Sequence, residues 1–402
     1  MDRTGLPALA LRLRRELFAS RTDGLITLVL LGALLALGGG FLRWALVQAQ
    51  WTVVQANSTL FAVGRYPLDQ QWRLWLLTTL LAAATGLSWG MLRGRSWPRN
   101  DAIAAVLLVG LALAAPLFLK LSLAIQARWW LITALLLALR WGAGHWGHRL
   151  PAPWRRLLLP LLWPLLYLVG MVLISGGLGL MPVRPSDWGG LLLTLVQSTF
   201  AILLCFPLGV ALALGRRSEL PLLRWGSVIY IEFIRGAPLI TLLFLGQNIL
   251  GFLLPGGLAP DRVWRAAWVL TFFAAAYVAE AVRSGLAAVP RGQMEAARAL
   301  GLPVPQALIH VVLPQALRVA LPATVGQFIT LLQDTTLLSL IGLLDLLGVA
   351  RTVMANPAFL GKNAEVYLLL AVLFWCCCAA LGLGSRALET RLNPNTLSAA
   401  RA

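Results

Sequence analysis

The chain reads as all-α: a polytopic helical membrane protein with about ten transmembrane helices. Three observations predict this. Hydrophobic residues make up 59% of the 402 positions and charged residues 12%, with a mean hydropathy of +0.80, and a soluble domain carries about twice that share of charge. Apolar windows long enough to cross about 30 Å of hydrocarbon recur along the whole length. The formal charge of +18 comes almost wholly from Arg beside those windows. That placement suits loops flanking a membrane and argues against a nucleic-acid-binding class.

Met1 to Asp23 is basic and loosely amphipathic, with Arg12, Arg14, Arg15 and Arg21 ahead of the first apolar window, 24–42. The charged leader is long and more windows follow, so the first is read as an uncleaved span and not as a signal peptide. Further windows lie at 74–92, 102–119, 129–143, 157–181, 188–214, 228–254, 263–282, 321–344 and 366–385. The shortest, 129–143, is closed by Arg140. With both termini cytoplasmic, about two-thirds of the 33 Lys and Arg residues fall on the inner side, and Arg235 lies within a span. The same assignment puts the polar stretch 295–314 on the inner side.

That stretch interrupts two strongly apolar flanks. Glu295 to Leu300 is a run of good helix formers, Gly301 is a natural C-terminal stop, and Pro303 and Pro305 oppose simple continuation. A second short helix is expected from Gln306 to Leu313, ahead of Pro314. The two make a compact knob, and the Glu295 carboxylate suits the positive end of the first helix.

The second half of the chain holds nearly all the intramembrane charge: Glu232, Arg235, Glu280, Arg283 and Asp334. Each costs at least about 2.5 kcal/mol near bilayer depth unless it finds a partner or a wet cavity. Glu232 with Arg235, and Glu280 with Arg283, are spaced i, i+3 and can pair on one helix face. Such pairs either fix helix packing or line a pathway. Asp334 sits among Gln327, Gln333, Thr335 and Thr336 with no cation nearby in sequence, so it contacts either a substrate or other helix groups. Gly236 and Pro238 interrupt the seventh span, as a packing kink or as a break whose free N–H groups face a carboxylate.

Several of these pieces carry a resemblance. The spacing Glu295-Ala296-Ala297-x3-Gly301-x9-Val311-x-Leu313-Pro314 resembles the cytoplasmic coupling loop of ABC-importer permeases, with Val311 where that pattern usually has Ile. Tyr230-Ile-Glu-Phe-Ile-Arg-Gly-Ala-Pro-Leu239, Tyr277-Val-Ala-Glu-Ala-Val-Arg-Ser-Gly285, Gly292-Gln293 and Gln333-Asp-Thr-Thr-Leu337 look like the amino-acid importer branch, together covering roughly residues 188 to 391. Gln333 stands where the family usually has Lys, which removes a local counter-ion from Asp334. Phe61-Ala-Val-Gly-Arg-Tyr-Pro67 and Trp72-Arg73, in the loop from Gln48 to Arg73, resemble the N-terminal extension of the large permeases of general or polar L-amino-acid importers.

The resemblance implies an extension over 1–183 with about five spans and a type I importer core over 184–391. The coupling loop would occupy 290–318 and a cytoplasmic tail 392–402. It implies that Glu295, Ala296, Ala297, Gly301, Leu313 and Pro314 meet a partner ATPase, and that Glu232, Arg235, Gly236, Pro238, Glu280, Arg283, Gln333 and Asp334 border the substrate path or form ion pairs. The implied setting is a bacterial inner membrane. The implied partners are two ABC ATPase subunits, a second permease expected to be a paralogue, and an extracytoplasmic amino-acid-binding protein. No cofactor is expected on this chain; ATP and Mg would sit on the partners. The alternative is an ion-gradient-driven secondary amino-acid transporter.

Other chemistry is not supported. Neither lysine, Lys120 or Lys362, completes a P-loop, and no zinc-protease or hydrolase motif occurs. Cys205, Cys376, Cys377 and Cys378 lie in apolar segments and read as core-packing thiols. His145-Trp-Gly-His148 reads as a membrane-surface anchor, since no acidic residue lies near it. No convincing internal repeat or low-complexity linker is found in the sequence.

Overall fold

The computed structural model describes residues 16–147, 152–253 and 260–392. Among the described residues eight helices are long and apolar enough to cross a membrane, or nine if the bent pair Pro221–Gly236 and Leu239–Ile249 is one span, against the ten expected; the window 157–181 carries only the shorter apolar helix Leu161–Ser175. The chain divides into two compact units, Met1–Val53 and Val54–Ala402.

The first unit contributes α1 (Arg21–Arg43), continued by a π-helical turn, Trp44–Gln48. Ser20 caps it by accepting the Asp23 N–H at 3.0 Å, and Asp23 in the first turn complements the helix dipole. No residue of α1 is buried within the protein. A helix of this length that is apolar on every face is suited to lipid. Arg12, Arg14 and Arg15 lie outside the described residues.

The second unit begins with α2 (Ser58–Val63), α3 (Gln71–Arg93), α4 (Arg99–Phe118), α5 (Leu123–Trp146) and α6 (Ala152–Ser175). The short window 129–143 is part of the 24-residue α5. Arg140, which closed it in sequence, is fully buried. Its guanidinium donates to the carbonyls of Gly94 at 2.9 Å and Ser96 at 2.8 Å and lies over the Trp97 ring at 4.5 Å. It therefore staples α5 to the turn between α3 and α4. Helix α6 stops at Ser175, six residues short of the expected 181. Gly176 and Gly177 take φ of 84° and 107° there, and the Gly177 N–H bonds the Leu180 carbonyl in a tight turn.

The remaining helices are α7 (Gly190–Arg216), α8 (Pro221–Gly236), α9 (Leu239–Leu253), α10 (Arg262–Ala288), α11 (Arg291–Ala299), α12 (Leu313–Asp334), α13 (Leu346–Met354) and α14 (Asn363–Leu392). Helix α10 is the centre, with Ala266, Leu270, Ala274, Val278 and Val282 buried along one stripe against α7 and α12. Small residues permit that approach: a β-carbon on Gly285 would lie 2.3 Å from the Ala316 carbonyl oxygen. Residues 393–402, the expected tail, lie outside the described residues.

Where α7 starts, backbone interlocks with backbone. Gly64 bridges to Trp188, and the Gly190 N–H donates to the Leu344 carbonyl at 2.9 Å. Asp345, fully buried, caps α13 by accepting the N–H groups of Leu347 and Gly348 at 3.1 and 3.0 Å. Burial pushes its carboxyl up to about 7, against the lowering pull of those N–H groups and of Arg351. Raised above its unfolded value, the carboxyl binds its proton more tightly in the folded state. Stability is therefore expected to fall as pH rises from about 4 through about 7. Thermal unfolding in detergent at pH 5 and pH 8 checks this: Asp345→Asn, which keeps an acceptor for the cap, should lose most of the difference.

Candidate functional site

Ionic side chains meet at the end of the bundle where α7 finishes. Glu280 on α10 takes Arg216 from α7 at 2.9 Å, Arg235 from α8 at 3.6 Å and Arg283 from its own helix at 3.0 Å. Glu232 pairs with Arg216 at 3.1 Å. The Glu280–Arg283 contact expected from i, i+3 spacing is present. The expected Glu232–Arg235 pair is not: the two residues reach different partners on neighbouring helices. Arg216 is the member that local spacing did not reveal, because it comes from another helix end. Glu232 is 56% exposed, so its pair contributes no more than about 1 kcal/mol. Glu280 is 17% exposed and holds three cations, which makes it the costlier member to remove.

Just beyond Arg235 the span breaks. Helices α8 and α9 meet at 107°, with Ala237 extended at φ −94°, ψ 137°. Pro238 has no N–H to continue α8 and disfavours a helical residue before it. The Leu242 N–H bonds the Pro238 carbonyl at 3.2 Å, so the N–H groups of Leu239, Ile240 and Thr241 precede the first helical acceptor of α9.

Leu239 also lines a pocket of about 210 Å³, with Phe273, Ala274 and Tyr277 from α10 and Gln327, Thr330, Leu331 and Asp334 from α12. This is below the roughly 300–1,000 Å³ of sites for drug-sized ligands and suits a smaller one. Asp334 ends α12 and has no hydrogen bond or ion pair among the described residues. Gln333 is directed elsewhere, 3.8 Å from the Cys378 sulfur on α14. Thr335 and Thr336 donate to carbonyls of their own turn. Of the polar residues grouped with Asp334 by sequence, only Gln327 shares the pocket. Tyr277 and Leu239 belong to the motifs that carried the resemblance but were not named as lining residues, and no sequence signal marked Phe273; Tyr277 also receives the Arg235 guanidinium 5.8 Å above its ring.

The loop after α10 differs from expectation in two respects. Helix α11 begins at Arg291, so Glu295 lies beyond its first turn and not at its positive end. The second helix is not a separate unit from Gln306 to Leu313. Helix resumes at Val304 and runs unbroken through a π-helical turn, Leu308–Val312, into α12. The wide turn is the physical reason, since the Leu313 N–H bonds back to Leu308 and relieves the clash that Pro314 would make with a regular preceding turn. Gly301 is the true corner. At φ 84° it lets its own N–H reach the Arg298 carbonyl at 2.9 Å and the Leu302 N–H reach Ala297 at 3.2 Å, a Schellman ending.

The knob is seated by Ala297 and Ala307, both buried, and by the Gln315 amide donating to Gln293 at 3.1 Å. Leu313 packs partly buried against the core. Glu295, Ala296, Gly301 and Pro314 are exposed, as is Leu300 at 84%.

Other sequence candidates are placed plainly. His145 bonds the Trp141 carbonyl one turn back at 2.9 Å, and His148 lies outside the described residues. Cys205 is buried as expected, but Cys376 is on the exposed side of α14 and does not pack in a core. Among the described residues no three His, Cys, Asp or Glu side chains are grouped to hold a metal.

Residues 205–394 match the family described as "Binding-protein-dependent transport system inner membrane component". The chain is 33% identical over 395 residues to the inner membrane amino-acid ABC transporter permease protein YhdY of Escherichia coli (strain K12), covering 94% of this chain and 92% of that protein. It belongs to the amino-acid ABC transporter permeases. It is also 36% identical over 366 residues to the glutamate/glutamine/aspartate/asparagine transport system permease protein BztC of Rhodobacter capsulatus, covering 86% of this chain and 79% of the relative. Among solved structures, an amino acid ABC transporter crystallised with histidines is similar at 31% identity and a TM-score of 0.45, over 50% of this chain and 92% of that one. Membership makes the chain a membrane subunit of a transport system and not a catalytic enzyme. It favours the ABC permease over the ion-gradient-driven carrier.

Proposed function

We propose that the chain forms the translocation path of an ATP-driven amino-acid importer and converts closure of partner ATPases into opening and closing of its helices. The observation that carries this reading is the knob after α10, seated by the buried Ala297 and Ala307 with Leu300 exposed beside its corner. Glu295, Ala296, Gly301 and Pro314 are its contact residues; Ala297 and Leu313 hold it in place. ATP and Mg bind the two partner ATPases. A second permease, expected to be a paralogue, completes the path, and an extracytoplasmic binding protein delivers the amino acid. The knob faces the cytoplasm together with both termini, as the Arg and Lys distribution favours. Residues 1–183 act as an extension to the core at 184–391.

The pocket takes a zwitterion. Asp334 offers an unpaired acceptor to an ammonium, and the first N–H groups of α9 offer donors to a carboxylate. Asp334→Asn is expected to keep ATP hydrolysis and lower uptake about tenfold, the scale of one charge-assisted hydrogen bond, with basic amino acids affected most. Equal uptake by wild type and variant would end the contact.

The whole reading is tested in vesicles. Uptake should require ATP, both ATPases, the second permease and the binding protein; uptake by this chain alone on a sodium or proton gradient would overturn it.

A further inference from the structure

We propose that Arg235 is the specificity-determining residue that reads the substrate carboxylate, exchanging Glu280 for it; this rests on the zwitterion pocket above. The network at the α7 finish joins three guanidiniums, Arg216, Arg235 and Arg283, to two carboxylates, Glu232 and Glu280. One positive charge is therefore uncompensated within it, and with Arg235 37% exposed that charge is open to a further anion.

The contacts show which cation is least committed. Arg216 touches both carboxylates at 2.9 and 3.1 Å, and the Arg283 Nε donates to both oxygens of Glu280 at 3.2 and 3.0 Å. Arg235 reaches Glu280 only at 3.6 Å, with no hydrogen bond. It also stands one residue before Gly236 and the break, and its guanidinium lies 5.8 Å from the ring of Tyr277, which lines the pocket. On the α12 wall of that pocket Asp334 is the anion without a partner.

A ligand with one carboxylate and one ammonium answers both. Its carboxylate offers Arg235 the planar, two-oxygen match that the distant Glu280 contact does not provide. The ammonium settles on Asp334. The ligand class is an amino acid with a free carboxylate, and Glu280 is the internal competitor that holds Arg235 while the pocket is empty.

The test measures direct binding of a labelled amino acid and of its amide, which lacks the carboxylate, to the purified complete transporter without binding protein. Wild type is expected to favour the acid about tenfold or more, the scale of a charge-assisted pair. Arg235→Gln should remove most of that preference, leaving the share due to the first N–H groups of α9. Glu280→Asp, which shortens the competitor, should widen it. Wild type that binds acid and amide equally would overturn the pocket reading itself. Wild-type discrimination retained in full by Arg235→Gln would overturn only the Arg235 assignment. Should Arg235→Gln fail to reach the membrane, Glu280→Asp decides, and discrimination at or below wild type overturns the proposal.

Discussion

Gly301→Asp is expected to abolish ATP-driven uptake, by about a hundredfold or more, while the permease stays in the membrane at close to the wild-type amount. The two halves of this expectation have separate causes. Gly301 has φ 84°, and no atom lies within 4 Å of where its β-carbon would stand. An aspartate there meets no clash inside the chain and costs about 1–2 kcal/mol of backbone strain, at the lower end because Asp tolerates the left-handed region. The fold survives that. The corner, however, sets the angle between α11 and the helix restarting at Val304, and it is exposed beside Leu300. A carboxylate at that exposed corner adds charge that a partner must desolvate. Vesicle uptake, read beside quantified membrane protein, checks both halves. Normal transport by the variant would remove the knob from the coupling role.

Glu280→Gln is expected to cause the largest loss of stability, about 3 kcal/mol, the lower end of the range for breaking a buried pair because the carboxylate retains some solvent contact. The spacing of Glu280 and Arg283 alone leads one to expect that a second change, Arg283→Gln, restores much of the loss. The structure changes that expectation. Arg216 and Arg235 also rest on Glu280, so the double variant should recover only a minor share, and the shortfall measures the coupling across α7, α8 and α10. Thermal unfolding of wild type, both single variants and the double variant in detergent provides the numbers. A Glu280→Gln midpoint close to wild type would show that the network contributes little.

These two cases also mark how much of the molecule was legible in the residues. The spans were readable because hydrocarbon imposes one rule on every segment: about twenty apolar residues, hydrogen-bonded within themselves. Eight of the ten windows are carried by helices long enough to cross for that reason, a ninth is the bent pair whose break at Gly236–Pro238 appears where a missing N–H requires it, and the window 157–181 holds a shorter apolar helix. Gly301 was readable too, since only a left-handed corner ends a helix in that way, and Ala297 and Leu313 belong to the knob that the motif outlined. Local covalent chemistry was enough for all of these.

What the residues did not reveal depends on side chains from distant helices. Glu232 and Arg235 satisfy the local pairing rule yet pair elsewhere, because Arg216 arrives from the end of α7, sixteen positions before Glu232. Arg140 looked like the polar end of a short span and is instead a buried staple, since it meets carbonyls of a turn more than forty residues away and the Asp101 carboxylate at 3.8 Å. Gln333 and Asp334 are adjacent in sequence but face α14 and the pocket respectively. Helical periodicity sends neighbouring side chains about a hundred degrees apart, so adjacency along the chain does not predict a shared environment. Composition and backbone chemistry determine where helices start, break and cross the membrane; which charges neutralise one another, and which single carboxylate is left facing a pocket, follows only from how those helices pack.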